Sequence, residues 1–311
     1  MEPIIEPVER RLLLQELTPE RKLRDTARRG NELYIFNAHQ APALMREVGR
    51  LREESFRAAG GCSGRSMDID KYDTMVNPYR QLIVWDPNSL EIAGGYRFLP
   101  GSEVSFNADG TPLLATSEDF DYSKEFIEKY LPVTLELGRS FVSPGYQSSA
   151  TNTKSIFALD NLWDGLVTIM MLNPYLSFYF GEVTIHPGYD RKAASLIMKF
   201  LSKHYGDRNN LVRPKKPVEP AECGAVLCKE SAKEDFLILK RAISELGFNI
   251  PPLINSYINV TSTMTYFGFA ESHELAYALG GGMMIKFDDI YPDKKERHLK
   301  AFFEGKVNEN L

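Results

Sequence analysis

The sequence is poor in cysteine: Cys62, Cys223 and Cys228 are the only three in 311 residues. They form no CxxC pair and stand in no cysteine–histidine metal spacing. That argues against a disulfide framework or a zinc ribbon and fits a reducing compartment. The five histidines (His39, His186, His204, His273, His298) are scattered, with no HExxH pair. No apolar run approaches the ~20 residues that a spanning helix needs, and no leader-like apolar segment follows the N-terminal Met-Glu-Pro. The chain therefore reads as cytoplasmic. Internal repeats and low-complexity tracts are missing too. Excess charge of one sign is also lacking: 37 Lys and Arg stand against 42 Asp and Glu, for a net charge of −5. This argues against a general polyanion binder.

What remains is ordinary globular material, 43% hydrophobic and 25% charged. It is long enough for two domains or one large domain, with a core that needs no staples. Residues 8–29 read as a charged helix. Their leucines, Leu12 to Leu14, could pack on the domain or lay a basic arm on anionic lipid. Tyr34–Phe36 is a strand candidate. Residues 41–59 have helical spacing, closed by Gly60-Gly61. Arg80–Asp86 and Glu91–Leu99 form a β-hairpin. A short helix is expected over 119–130, a strand over 135–142, a long helix over 155–172, a strand over 176–185 and a helix over 191–205. Residues 206–222 read as a loop and 233–246 as a helix; 257–269 and 283–290 are the last strand candidates. This is an α/β chain with a mixed sheet.

Four local patterns carry a resemblance: LREESF at 51–56, DIDKYD at 68–73, GGYRFL at 94–99 and ELGRSFV at 136–142. With the element order, they resemble the GNAT-like N-acyltransferases. The branch is that of the ornithine and glycine N-acyltransferases of aminolipid synthesis, often labelled "hemolysin-like". Acyl-homoserine-lactone synthases are more distant relatives. The resemblance implies a GNAT-like mixed central sheet flanked by helices. It divides the chain into an N-terminal helical arm (1–39), an acyltransferase core (40–205) and a C-terminal extension completing or covering the core (206–311).

The resemblance also implies an acyl thioester donor, on acyl carrier protein or coenzyme A, an amino-acid acceptor such as glycine or ornithine, and no permanently bound cofactor or metal. Arg52 and Phe56 match the family's first-helix pair, and Asp70 and Asp73 its D-x-x-D. Arg97 matches the hairpin arginine, and Glu136 and Arg139 the E-x-x-R strand. The tryptophan that the synthases carry soon after the first-helix phenylalanine is missing. So is a glycine-rich pyrophosphate loop at Tyr146–Lys154, which favours a carrier-protein donor over free coenzyme A.

Amide formation from a thioester needs a neutral amine, donors for the charge developing on the carbonyl oxygen, and stabilisation of the leaving thiolate. No covalent intermediate is required. Glu136 is the candidate base. In a regular strand, Glu136 and Arg139 would face opposite sides unless a bulge intervenes. Asp70 and Asp73 could hold the acceptor's ammonium or build a buried ion network with Arg52 and Arg97. The resemblance implies backbone donors at Phe141 and Val142, beside which the acyl-pantetheine would run. Phe56, Trp163, Phe178 and Phe180 are acyl-pocket candidates that could equally be plain core.

An acidic carrier protein calls for a basic patch. Arg191 and Lys192, or Arg208, Arg213, Lys215 and Lys216, could supply it, and either set could be a solvated surface. No aromatics interleave the loop's basic residues, which speaks against nucleic acid. His186–Asp190 has H-x3-D spacing, not the H-x4-D of O-acyltransferases. Gly280–Gly282 lacks the Lys-Ser/Thr of a P-loop and reads as a turn. The expected activity is transfer of a long acyl chain, with or without a 3-hydroxyl group, to an amino acid's α-amine. The alternatives are an acyl-homoserine-lactone-type synthase or a non-catalytic lipid- or protein-binding module of the same fold.

Overall fold

The computed structural model describes residues 1–27, 30–147, 154–222, 227–272 and 278–309. The helix expected over 8–29 is only α1 (Arg10–Glu16). Pro19 disfavours helix at the residue before it, and the chain then runs as an edge strand, β1 (Lys22–Asp25). Leu13 is buried while Leu12 and Leu14 point outward. In β2 (Glu32–Phe36), Leu33 and Ile35 enter one core, and Tyr34 and Phe36 the other. The sheet is therefore buried on both faces. Helix α2 (Pro42–Ala59) starts with proline in its first turn and ends at Gly60 in the left-handed region, φ +87°. A helical turn, α3 (Lys71–Thr74), follows, then the expected hairpin of β3 (Arg80–Asp86) and β4 (Glu91–Pro100).

The helix expected over 119–130 is instead a strand, β5 (Phe120–Tyr122), and a single π-type turn, Phe126–Tyr130. Its aromatics join one buried cluster with Phe180. Next come β6 (Thr134–Val142), α4 (Lys154–Leu172), β7 (Phe178–Ile185) and α5 (Arg191–Tyr205). The loop expected over 206–222 contains β8 (Val212–Pro214), paired with β5. After α6 (Ala232–Glu245), the residues read as the start of a strand at 257 belong to helix α7 (Pro252–Ile258), which opens on a proline. The strands proper are β9 (Thr265–Ser272) and β10 (Ala278–Lys286), and α8 (Pro292–Glu304) follows. The Gly280–Gly282 run lies inside β10, not in a turn. Side chains at 281 and 282 would crowd the rings of Phe269 and Phe120.

Eight strands form one mixed sheet in the order β1-β2-β3-β4-β6-β7-β10-β9. α2 covers one face and α4 and α5 the other. Among the described strands of this sheet, only β6 and β7 pair in parallel, and they share four pairs, Thr134–Leu137 with Phe178–Gly181. A side chain at Gly181 would collide with the Leu137 carbonyl oxygen. Beyond this rung the strands part. β6 also carries a bulge. Gly95 pairs with Phe141, but Arg97 pairs with Gly138, and Arg139 adopts φ +47°. Leu137 enters the α4-side core while Phe141, four residues on, enters the α2-side core. The extra residue reverses the alternation, so Glu136 and Arg139 face the same side.

Candidate active site

The gap between β6 and β7 opens into a cavity of about 850 Å³. Glu136, Arg139, Phe141 and Val142 line it from β6, Glu182 and Thr184 from β7, Arg97 from β4 and Phe56 from α2. Glu136 is 1% exposed. Its Oε1 accepts from the Thr116 N–H (3.1 Å) and Oγ1 (2.6 Å), and its Oε2 accepts from the Tyr79 hydroxyl. Ala115 N–H donates to that same hydroxyl (2.9 Å). Burial dominates the acidity of Glu136. Together with the Asp70 charge it outweighs the Thr116 donor and pushes the carboxyl up to about 8.

Behind Glu136 stands a buried ion network. Arg52, fully enclosed in α2, reaches both oxygens of Asp73 (3.2 Å each) and the Gln81 amide oxygen. Arg97 bonds Asp70 (2.6 Å) and Asp73 (3.5 Å). Arg139 meets Asp68 (3.0 Å) and Asp70 (3.4 Å). Asp70 also caps α3, accepting from Tyr72 N–H (2.9 Å) and Asp73 N–H (3.2 Å). Burial opposes its ionisation, but the guanidiniums of Arg97 and Arg139 prevail and hold it well below the usual carboxylate range.

The structure thus brings Glu136, Arg97 and Arg139 to one cavity and sets Asp70, Asp73 and Arg52 behind its wall. The Phe141 and Val142 segment of β6 lies along the gap where β7 has departed. Phe56 borders the large cavity. Trp163 and Phe180 border a small apolar cleft next to it, which shares Leu137, Gly138, Ser140, Glu182 and Leu253 with the cavity. Phe178 lines neither and packs on Tyr130. Arg191, Lys192, Arg208, Arg213, Lys215 and Lys216 are all exposed, and Lys215 also donates to the Ser117 carbonyl (2.6 Å). His186 lines the cavity, where burial lowers its proton affinity, while Asp190 caps α5 through the Ala193 N–H. Most of the Tyr146–Lys154 loop lies outside the described residues.

Sequence reasoning missed Tyr79, Thr116 and Glu182. Glu182 occupies an alternating position in β7, where an acid reads as solvent-facing.

Residues 51–155 match the family model described as Acetyltransferase (GNAT) domain. The chain is 49% identical over 309 residues to a glycine N(alpha)-acyltransferase of Bacteroides thetaiotaomicron, covering 98% of this chain and 92% of the relative. It is 45% identical over 306 residues to a glycine N(alpha)-acyltransferase of Phocaeicola vulgatus, covering 97% and 94%. The chain belongs to this acyltransferase family. Among solved structures, a CoA-dependent acyl-homoserine lactone synthase, BjaI, is similar in its complex with MTA (TM-score 0.39) and in its complex with SAM and isopentyl-CoA (TM-score 0.38). Each shows 10% identity and covers 88% of this chain and 90% of that one. The matched GNAT segment of the acyltransferase holds Glu136 and the whole aspartate–arginine network, while Glu182 falls outside it. Among the described residues, no helix of the acyltransferase is long and apolar enough to cross a membrane.

Proposed function

We propose that this acyltransferase moves a long acyl chain, with or without a 3-hydroxyl group, from acyl carrier protein to the α-amine of glycine. The product is an N-acylglycine, a lyso-aminolipid. The observation that carries the reading is Glu136, a buried carboxyl with raised affinity for protons, facing the cavity where β6 and β7 diverge. The relatives' names support glycine as acceptor.

The acyl-pantetheine arm runs along the edge of β6 that β7 leaves uncovered, so the backbone N–H groups near Phe141 and Val142 can meet the thioester. Its tail reaches the small cleft of Trp163 and Phe180. Arg139, oriented by Asp68 and Asp70, receives the glycine carboxylate. Glu136 takes a proton from nitrogen as the C–N bond forms, and the C–S pair departs on sulfur. Arg191 and Lys192, exposed at the start of α5, meet the acidic carrier. The outward Leu12 and Leu14 of α1 give a peripheral contact with the membrane that takes up the product.

Lipid extracts from cells expressing the wild-type chain or Glu136→Ala, compared by mass spectrometry, test the reading. An N-acylglycine in wild type alone supports it. The same product from both removes Glu136 as an essential base. No product from either, with both proteins folded and donor present, overturns the reaction.

A further inference from the structure

Making an amide from an amino acid near neutral pH takes two protons off one nitrogen. The acceptor arrives as an ammonium and must lose one proton before its lone pair can attack. It loses a second as the C–N bond forms. Glu136 accounts for one of these.

A second carboxylate stands beside it. Glu182 follows the last rung shared by β6 and β7. Glu136 pairs with Phe180, two residues before Glu182, so all three face the same side of the sheet. Unlike Glu136, Glu182 is partly exposed to the cavity, and among the described residues its carboxylate has no hydrogen-bond donor. Glycine at position 280, on the neighbouring β10, makes room for it. A side chain there would collide with the Glu182 Oε2. The carboxylate therefore lies against bare backbone on one side and open cavity on the other. The charged and titratable groups around it are Asp119 before β5, Tyr122 on β5, Glu136 and Arg139 on β6, and Arg97 on β4. Burial, reinforced by Asp119 and Glu136, raises its proton affinity well above that of an ordinary glutamate.

We propose that Glu182 is a catalytic residue that receives the acceptor's ammonium group and takes its first proton, leaving the second to Glu136. The proposal rests on the acyl-transfer reading above. The ammonium and the Glu182 carboxylate become a neutral amine and a carboxylic acid. The amine lone pair then attacks the thioester carbon, and Glu136 takes the second proton as the amide forms. The C–S bond breaks with its electron pair on sulfur. The thiolate recovers one of the two protons, and the other leaves to solvent.

The test compares wild type with Glu182→Gln, using a long-chain acyl thioester of acyl carrier protein and two acceptors: glycine, and hydroxylamine, which is already neutral at pH 7. With glycine at pH 7 the variant should lose about 10²-fold in kcat/KM. The loss should shrink as pH rises and glycine's amine loses its proton unaided. With hydroxylamine the loss should be under about tenfold, since that acceptor needs only the second proton removed. An equal loss for both acceptors, constant with pH, would assign Glu182 a structural role and overturn the proposal, as would wild-type rates with glycine. If Glu182→Gln does not fold, Glu182→Asp, with its shortened reach, is measured by the same acceptor ratio. Wild type forming no N-acylglycine at any pH would instead overturn the acyl-transfer reading itself.

Discussion

Replacing Glu136 with glutamine should separate what the residue costs the fold from what it gives the reaction. Its carboxyl titrates near 8 in the folded chain, against 4.5 for an unperturbed glutamate. The folded state therefore keeps a proton that the unfolded chain releases between those values. Stability should fall as pH rises through this window, with the full cost present above about 8. At roughly 1.4 kcal/mol per unit the cost is on the order of 3–5 kcal/mol. Glutamine has no proton to lose. Its amide must face the Thr116 and Tyr79 donors, a penalty of about 1–3 kcal/mol that stays the same at every pH. Urea unfolding of both proteins at pH 5, 7 and 9 reads the difference directly. The variant should be the less stable at pH 5 and gain steadily on wild type towards pH 9, while its turnover falls by about 10²-fold or more. Two stability curves that run parallel from pH 5 to 9 would refute the reasoning, because Glu136 would then ionise as freely in the folded chain as in the unfolded one.

Arg52→Met should cost about 3–5 kcal/mol in urea unfolding, because it strips a fully buried partner from Asp73; a loss below about 1 kcal/mol would mean the network is solvated. Tyr79→Phe removes one donor to Glu136 while keeping the ring. Wild-type kcat/KM should climb with pH up to about 8, and the variant's climb should end higher; an unmoved midpoint would show that Tyr79 does not tune the carboxyl.

Much of the fold was legible because hydrophobic period and end signals agree. α2 has its proline start and glycine stop, the β3–β4 hairpin its apolar strands around Asp86–Ser89, and α4 its apolar face. The misread segments are those where side-chain spacing fits two structures. Lys22–Asp25 is short and charged, and its strand state comes from pairing with β2. Phe120, Phe126 and Tyr130 meet in one aromatic cluster from a strand and a π-type turn, at separations that also suit a helix. At the site, residue types sufficed to bring forward Glu136, which lines the cavity, and the aspartates and arginines that pair behind it. The bulge that gathers Glu136 and Arg139 on one face depends on Arg139 holding φ +47°, a conformation its side chain does not advertise. Glu182 was invisible because its enclosure is built by chain far away in sequence, including Asp119 and the glycines of β10.

The bulge bears on how new acceptors can be admitted. Arg139, which occupies that left-handed kink, is tied to Asp68 and Asp70, and Asp70 in turn caps α3. The kinked Arg139 is thus held from behind, by a short acidic stretch that contributes nothing to the cavity lining. Randomising lining residues would recarve the walls one side chain at a time. Changing Asp68 or Asp70 would act instead from behind the wall, on Arg139 and the kink it occupies. Libraries aimed at bulkier amines belong there first.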